Sequence, residues 1–570
     1  MVTDIYNRWL ERATLDKDLT YELKSIEGNS DEIEDRFYKN LEFGTAGLRG
    51  VIGAGTNRMN VYTVGTATQG LAEYVLSQNK EASVAIAYDS RIKSELFARH
   101  AAAIFAANGV KVYIYPELMP VPMLSFAVRH LKCEAGVVIT ASHNPAKYNG
   151  YKAYGPDGCQ LSPDASEYVL SIINKVDIFD GVKTVDFDSA VKSGMINFIG
   201  EDVVNAYLDA VEKQSVSDDS YNFSDLKVIY TPLHGAGNKP VRAILKRIGV
   251  ENVTVVKEQE LPDGNFPTVE FPNPEFRQAF DCALELAKEV KPDLLLATDP
   301  DCDRVGIAVN VKGEFKLMTG NEVGALLLNY LLERKKALGT LPKNPVAVKT
   351  IVTTNLVKAI ADDYGCILKN VLTGFKFIGE QIYLLEKQNE EERFILGFEE
   401  SYGYLAGGYV RDKDAVVASM LICEMCCYYL NKGMTLFDVL NSLYKKYGYY
   451  YNRQKSITCE GMDGMEKMAN ALKKLRNNPP KAAAGSPVVK VSDYLTSVTT
   501  DILNGKKEKI LLPKSDVLCY EFENKAEVIV RPSGTEPKIK IYISAIGSSL
   551  EEGSALADRL VKDFEDILGL

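Results

Sequence analysis

The chain has 570 residues, 46% of them hydrophobic and 25% charged, and 66 basic against 77 acidic residues leave a formal net charge of −11. These proportions are ordinary for a folded soluble protein and exclude a mostly disordered chain, a collagen-like repeat and a small disulfide scaffold. The acidic balance argues against a nucleic-acid partner, the most apolar stretch, 415–430, is interrupted by Glu424 and so argues against a membrane span, and at about 150 residues per domain the length implies three to four domains.

Residues 1–20 mix both charges without an apolar core, so no secretory signal is read. The ten cysteines are scattered and read as reduced, buried thiols of a cytoplasmic protein. His100, His130, His143 and His234 are too separated to suggest a histidine-built zinc site.

In chain order, 84–88 reads as a buried strand, 94–108 as an alanine-rich helix ended by Gly109, and 110–115 as a second strand. The alternation recurs through strand 227–230, helix 239–248, strand 253–256, helix 275–290 and strand 293–297. It recurs again through helix 321–338, strand 346–352, helix 355–364, strand 394–396 and helix 414–430. Such alternation predicts an α/β fold of βαβ units, with helices on the faces of mixed or parallel sheets, here as three similar domains in tandem. The Ser- and Asp-rich stretch 214–225 marks a boundary, and 477–487, with three prolines, reads as a loop. Beyond about Tyr450, strands 527–530 and 539–544 precede a final amphipathic helix, 550–568, an α+β pattern for a smaller fourth domain. The expected domains are 1–213, 214–320, 321–449 and 450–570.

Four loops carry chemistry. In Thr140-Ala141-Ser142-His143-Asn144-Pro145 a strand delivers Ser142 into a turn, a candidate nucleophile or phosphate carrier. The alternative is a hydrogen-bonded turn serine, which chemistry alone favours. No Gly-x-Ser-x-Gly elbow is present, so an α/β-hydrolase is not supported. In Asp299-Pro300-Asp301-Cys302-Asp303-Arg304 three carboxylates at alternate positions follow an apolar strand. Crowded carboxylates repel unless a cation is present, and oxygen-only ligands suit Mg²⁺ or Ca²⁺. An EF-hand fails, because its Gly and Glu positions are Arg304 and Asn310. Gly397-Phe398-Glu399-Glu400-Ser401-Tyr402-Gly403 can hydrogen-bond sugar hydroxyls, or be an ordinary polar loop; Arg411 and Lys413 follow as bases or phosphate contacts. Arg531-Pro532-Ser533-Gly534-Thr535, followed by Lys538 and Lys540, suits a phosphate or is a plain hairpin turn. The glycine-rich stretch 44–50 matches neither a Walker A loop nor Gly-x-Gly-x-x-Gly. The Cys423-x-x-Cys426 spacing lies in an apolar helical stretch and reads as core.

These four loops, in this order, resemble the α-D-phosphohexomutase superfamily of phosphoglucomutases and phosphomannomutases. Thr373-Gly374-Phe375-Lys376 and the Glu399–Ser401 loop look most like its phosphoglucomutase-2/phosphopentomutase branch. The resemblance implies a four-domain, heart-shaped architecture of three related α/β mixed-sheet domains and a smaller C-terminal α+β domain. It implies interconversion of glucose 1-phosphate and glucose 6-phosphate, with phosphopentomutase or phosphomannomutase activity as the alternative. An Asp-nucleophile phosphohydrolase is a remoter one. By resemblance Ser142 is the phosphoserine. It joins Asp299, Asp301 and Asp303 around Mg²⁺, with glucose 1,6-bisphosphate as activator and intermediate. Arg49, His143, Lys152 and Lys413 are the remaining catalytic candidates, Lys152 and Lys413 for acid–base work. Arg304, Gly374, Lys376, Glu399, Ser401, Arg531, Ser533, Gly534, Thr535 and Lys540 are the substrate-binding ones. The implied enzyme is cytoplasmic, a monomer or weak dimer, with a phosphosugar substrate and neither nucleic-acid nor membrane partners.

Overall fold

A computed structural model describes residues 2–44, 47–459, 464–533 and 538–569. The chain divides into two compact units, Met1–Gly320 with Ile378–Thr435, and Asn321–Phe377 with Leu436–Leu570.

The first unit holds two mixed sheets. One has six strands in the order Gly47–Val51, Tyr148–Tyr154, Ala135–Ile139, Ser83–Tyr88, Lys111–Ile114 and Ile196–Phe198. Its last four strands are parallel to one another; Tyr148–Tyr154 runs antiparallel both to them and to Gly47–Val51. Ala135–Ile139 is buried on both faces, and so is written entirely in small and β-branched residues. The helix Ser94–Ala107 covers this sheet, and Gly109 at φ 86 ends it, as the sequence predicts. The second sheet has five strands in the order Glu314–Met318, Val305–Val311, Leu294–Thr298, Val228–Thr231 and Val253–Val255. Leu294–Thr298 lies at its centre, fully buried, and feeds directly into the aspartate loop. The hairpin Phe394–Glu399 with Gly403–Leu405 and the buried helix Ala415–Asn431 complete this unit.

The second unit contains the parallel pair Val346–Thr350 and Ile367–Val371 and an eight-stranded antiparallel sheet. Helices Gly464–Asn477 and Leu550–Leu568 bury Leu472, Leu475, Leu560 and Phe564 in the same core as the strand residues Val528 and Ile541.

Two expectations need correction. The helix expected at 275–290 starts late: Arg277–Phe280 is a 3₁₀ turn, and the α-helix spans Asp281–Val290. The Asn273 side chain takes the Glu275 amide into a local turn, which competes with helix there. The expected loop 477–487 contains a two-residue strand, Ala482–Ala483, paired with Ser486–Asp493. Its hairpin loop, Ala484-Gly485, has φ of 49 and 78, the positive values such loops need, but alanine conceals the usual Asn-Gly signal.

The N-terminus holds three helices, Val2–Arg12, Lys17–Ser25 and Ser30–Phe37. Asp16 and Asn29 cap the second and third through their side chains. Trp9, 1% exposed, packs edge-on against Phe37, Tyr62 and Phe179. All ten cysteines are free thiols; Cys282 is partly exposed, the others are buried. Among the described residues no helix is long and apolar enough to cross a membrane.

His100 lines a cavity of about 230 Å³ with Tyr62, Phe179 and Val182, and burial pushes its pKa down to about 4. A folded pKa below the unfolded value means that stability is complete above about pH 6.5 and is lost as pH falls toward 4. Between pH 7 and pH 5 this histidine costs about 2 kcal/mol. Urea midpoints at the two pH values should therefore fall less in His100→Gln than in wild type; equal falls would refute the assignment.

Candidate active site

The site of the first unit is assembled from loops that leave the carboxyl ends of its strands. The strand Ala135–Ile139 ends at Thr140, and Ser142 follows with φ 52, 4% exposed. The left-handed region is unusual for serine. Its amide donates to Thr140 Oγ1 at 2.8 Å, and its hydroxyl donates to Asp299 Oδ2 at 2.8 Å, with His143 Nδ1 at 3.1 Å.

The strand Leu294–Thr298 ends at the second loop, where Asp299, Asp301 and Asp303 are almost fully buried. One oxygen from each lies within 4.8 Å of the others. The loop is fastened at several points. Asp299 Oδ1 accepts the amides of Asp303 and Arg304, Val121 donates to the Asp301 carbonyl at 2.9 Å, and Val305 donates to the Tyr402 carbonyl at 3.1 Å. Burial first, and then repulsion from Asp301 and Asp303, push the Asp299 pKa well above the carboxylate range. Burial also acts on Asp301, but Lys152 at 2.9 Å outweighs it and holds this carboxyl below its usual value. Asp301 Oδ1 and Asp303 Oδ1 are buried with no hydrogen-bond partner. Three converging carboxylates with two orphaned oxygens are a donor set for a hard divalent cation.

Lys413 Nζ lies 3.3 Å from both Asp303 and Asp412, and Lys152 also reaches Asp303 at 3.7 Å. Burial opposes the charge on both lysines, yet the facing carboxylates win and raise both above the ordinary lysine value. Gly403 makes this placement possible: a Cβ there would fall 2.0 Å from Lys413 Cδ. Glu399, 6% exposed, ends the strand Phe394–Glu399 and adds to the field on Lys413 and Arg304. Ser401 lies in the turn that follows, half-buried. Arg304 pairs with Glu275 and lies 3.8 Å from Asp303. Arg49, on Gly47–Val51 opposite Gly150, feels Asp301, Asp303 and Arg304. Burial, then Arg304 and Arg49, push the His143 imidazole well below its usual pKa, so it is neutral.

The second unit holds the other expected residues. Gly374, at φ 120, precedes the helix Phe375–Glu386, and Lys376 in its first turn lies over the Phe377 ring. Arg531 and Lys540 sit opposite each other on adjacent strands, and the Ser533 amide donates to the Lys538 carbonyl at 2.7 Å. Gly534 and Thr535 lie outside the described residues.

Arg411 is not a phosphate contact: it is buried and spent on Glu386 and on the Gly408 and Val410 carbonyls. Conversely, the sequence reading passes over four residues. Asp412 receives the Tyr154 hydroxyl at 2.7 Å and the Lys413 amide, fixing the backbone of that lysine. Thr140 donates to Asp301 at 3.2 Å while accepting from Ser142. Glu275 orients Arg304. Arg91 lies behind the serine loop, and an Asp-x-Arg segment after a buried strand is its only sequence signal.

Models of known families match three consecutive parts of the chain. They are phosphoglucomutase/phosphomannomutase alpha/beta/alpha domain I over 40–178, domain II over 205–313 and domain III over 319–447. The chain is 37% identical over 547 residues to a phosphoglucomutase of Staphylococcus saprophyticus, covering 95% of this chain and 97% of that protein. It is 38% identical over 541 residues to one of Staphylococcus aureus strain USA300, covering 93% and 96%. Among solved structures, a putative phosphomannomutase of Thermus thermophilus superposes with a TM-score of 0.67 at 22% identity, over 92% of this chain and 99% of that one. The open form of Paramecium pp63/parafusin, a phosphoglucomutase, gives 0.67 at 18% identity, over 93% and 95%. Both likenesses show the fold: three α/β mixed-sheet domains followed by a β-rich C-terminal domain.

The aspartate cluster predicts a stabilising cation. Magnesium at about 100 times its Kd should add about 2.7 kcal/mol to unfolding stability. Thermal denaturation with magnesium and with chelator would read this, and Asp301→Asn should lose most of the difference. A wild type indifferent to both additions would remove the metal site.

Proposed function

The chain belongs to the phosphoglucomutase/phosphomannomutase family, and on that premise we propose that it interconverts glucose 1-phosphate and glucose 6-phosphate through a phosphorylated Ser142. The observation that carries the reading is the buried Ser142 hydroxyl 2.8 Å from Asp299, within a cluster of three carboxylates and two lysines.

Asp299, Asp301 and Asp303 would hold Mg²⁺, a fit supported by the two orphaned oxygens and by the all-carboxylate donor set. When bound, the ion supplies charge neutralisation for the transferring phosphoryl group. The rest is work for the protein's own residues. In the first half-reaction the phosphoryl group leaves Ser142 Oγ, its O–P bond breaks, and a new bond forms to the C6 hydroxyl of glucose 1-phosphate. The hydroxyl proton passes to a nearby base as Ser142 Oγ recovers one. Lys152 and Lys413, both held protonated by the facing carboxylates, are the candidates for giving a proton to the departing Ser142 Oγ and, once neutral, for accepting the substrate's. The resulting glucose 1,6-bisphosphate turns over. Ser142 Oγ then takes the phosphoryl group from C1, and glucose 6-phosphate remains. The same bisphosphate phosphorylates an enzyme that has lost its phosphate.

Glu399 and Ser401 would hold the sugar hydroxyls. Arg531, Ser533, Gly534 and Thr535 would take the phosphate that is not reacting, and Gly374, Lys376 and Lys540 are further substrate-binding candidates. Arg49, His143 and Arg304 would face the transferring group, with His143 neutral and so able to accept a hydrogen bond. Asp299 is poorly placed as a phosphohydrolase nucleophile. One oxygen accepts two backbone amides and the other accepts the Ser142 hydroxyl. The reading carries with it a cytoplasmic enzyme, monomeric or weakly dimeric, with a phosphosugar as its partner.

A coupled assay for glucose 6-phosphate, with Mg²⁺ and a trace of glucose 1,6-bisphosphate, tests the function. Ser142→Ala should lose at least about 1,000-fold in kcat, since it removes the proposed phosphate carrier. Intact mass should show one phosphate on wild type, mapped to Ser142, and none on the variant. Near-normal turnover by Ser142→Ala would defeat the proposal. Faster turnover of ribose 1-phosphate or mannose 1-phosphate than of glucose 1-phosphate would reassign the sugar while keeping the mutase.

A further inference from the structure

Ser142 is held in its left-handed conformation from two sides. Its amide donates to Thr140 Oγ1, and its carbonyl accepts from the Arg91 guanidinium. Arg91 also donates to the carbonyl of Asn144, and to those of Pro145 and Tyr148, each at 3.0 Å. An arginine has five N–H donors in a rigid fork. Four are spent here on carbonyls of the single stretch 142–148, and Nε makes no hydrogen bond but lies 3.4 Å from Asp89 Oδ2 as an ion pair. The side chains of Arg91 and Asp89 are both fully buried.

A second loop closes the back of this arrangement. The Arg91 guanidinium lies over the Phe266 ring, 5.0 Å from its centroid. Phe266 has φ 47 and is buried, an uncommon backbone state for so bulky a residue. Two residues earlier, Gly264 approaches so closely that a Cβ would lie 2.4 Å from the Ile92 nitrogen. His234 braces the same loop, with Nδ1 3.2 Å from the Leu261 carbonyl and Nε2 2.9 Å from Thr268 Oγ1.

We propose that Arg91 is a positioning residue, a buried guanidinium clamp that keeps Ser142 left-handed, with its Oγ directed at Asp299, through gain and loss of the phosphoryl group. Asp89 and Phe266 hold the clamp itself. This role rests on the mutase reading, because it concerns how Ser142 is aimed. The clamp touches only backbone of the serine loop, so its loss moves the carrier without removing a substrate contact.

Arg91→Lys keeps the charge but puts three donors on a flexible point, which cannot span four carbonyls. Its kcat should fall about 100-fold, as expected for a displacement of about 1 Å at a reacting atom, with KM within about twofold of wild type. Phe266→Leu keeps the apolar wall but loses the ring face, and its kcat should fall about 10-fold with the same split. In Arg91→Ala, guanidinium ion added below the concentrations that unfold the variant should restore part of kcat. Circular dichroism and thermal midpoints identify any variant that fails to fold, and Phe266→Leu then carries the test. A folded Arg91→Lys with wild-type kcat would overturn the clamp, as would losses that appear in KM alone. If wild type neither isomerises the sugar phosphates nor carries phosphate on Ser142, the mutase reading falls, and this role falls with it.

Discussion

Three buried carboxylates facing one serine hydroxyl are the constraint on which the first unit is organised. Asp299, Asp301 and Asp303 cannot all be ionised within 4.8 Å of one another in a water-poor environment without compensation. Lys152 and Lys413 supply some of it, and Arg304 a further part. Two of these three cations are claimed elsewhere as well, Arg304 by Glu275 and Lys413 by Asp412. These cations are therefore shared, and two of the cluster's oxygens have no hydrogen-bond donor. Such a cluster survives in a folded protein when it holds a cation for function, and the surrounding structure bears the cost.

The scaffold bears it by fastening the loops to one another through main-chain bonds. The Asp301 carbonyl accepts from Val121, the Pro300 carbonyl from Ala236, and the Cys302 carbonyl from Ala415 at the start of a long buried helix. Asp414 caps that helix through the amides of Val416 and Val417 and also accepts the hydroxyls of Tyr207 and Tyr409. Lys413 thus directly precedes the cap of a rigid helix, and Asp412 takes its amide. The acid–base candidate is aimed by its neighbours on both sides. Cys302 at φ 51 and Ser142 at φ 52 are left-handed residues in facing loops, each tied down by such bonds.

The chemistry-bearing loops were legible in the sequence because each concentrates its residues within a few positions after an apolar strand. The aspartates alternate, and serine, histidine and asparagine run together. Strand and helix order was legible for the same reason, since buried strands are written in β-branched runs. What escaped depends on contacts between distant segments. Arg91 acts on residues more than fifty positions later, Asp412 on Tyr154, and Glu275 on Arg304. No local pattern marks an arginine as buried, and composition treats it as a surface residue. The N-terminal helices escaped because their apolar stripe has meaning only once Tyr62 and Phe179 supply the surface that buries Trp9, the only tryptophan of the chain.

The net charge of −11 takes on a different sense against this site. An acidic protein that handles anionic sugars must reverse its own field locally. In the first unit Lys152, Lys413 and Arg304 are each already paired with a carboxylate. A phosphoryl group on Ser142 would add about 1.5 to 2 negative charges to that site. On the proposed reading, phosphorylation of the serine and occupancy of the carboxylate cluster by a cation would therefore be linked energetically, each making the other more favourable. The same linkage would favour retention of the phosphoryl group once the cation is in place. On that reading, the carboxylates that look costly in isolation are what would allow a serine in an acidic protein to hold a dianion.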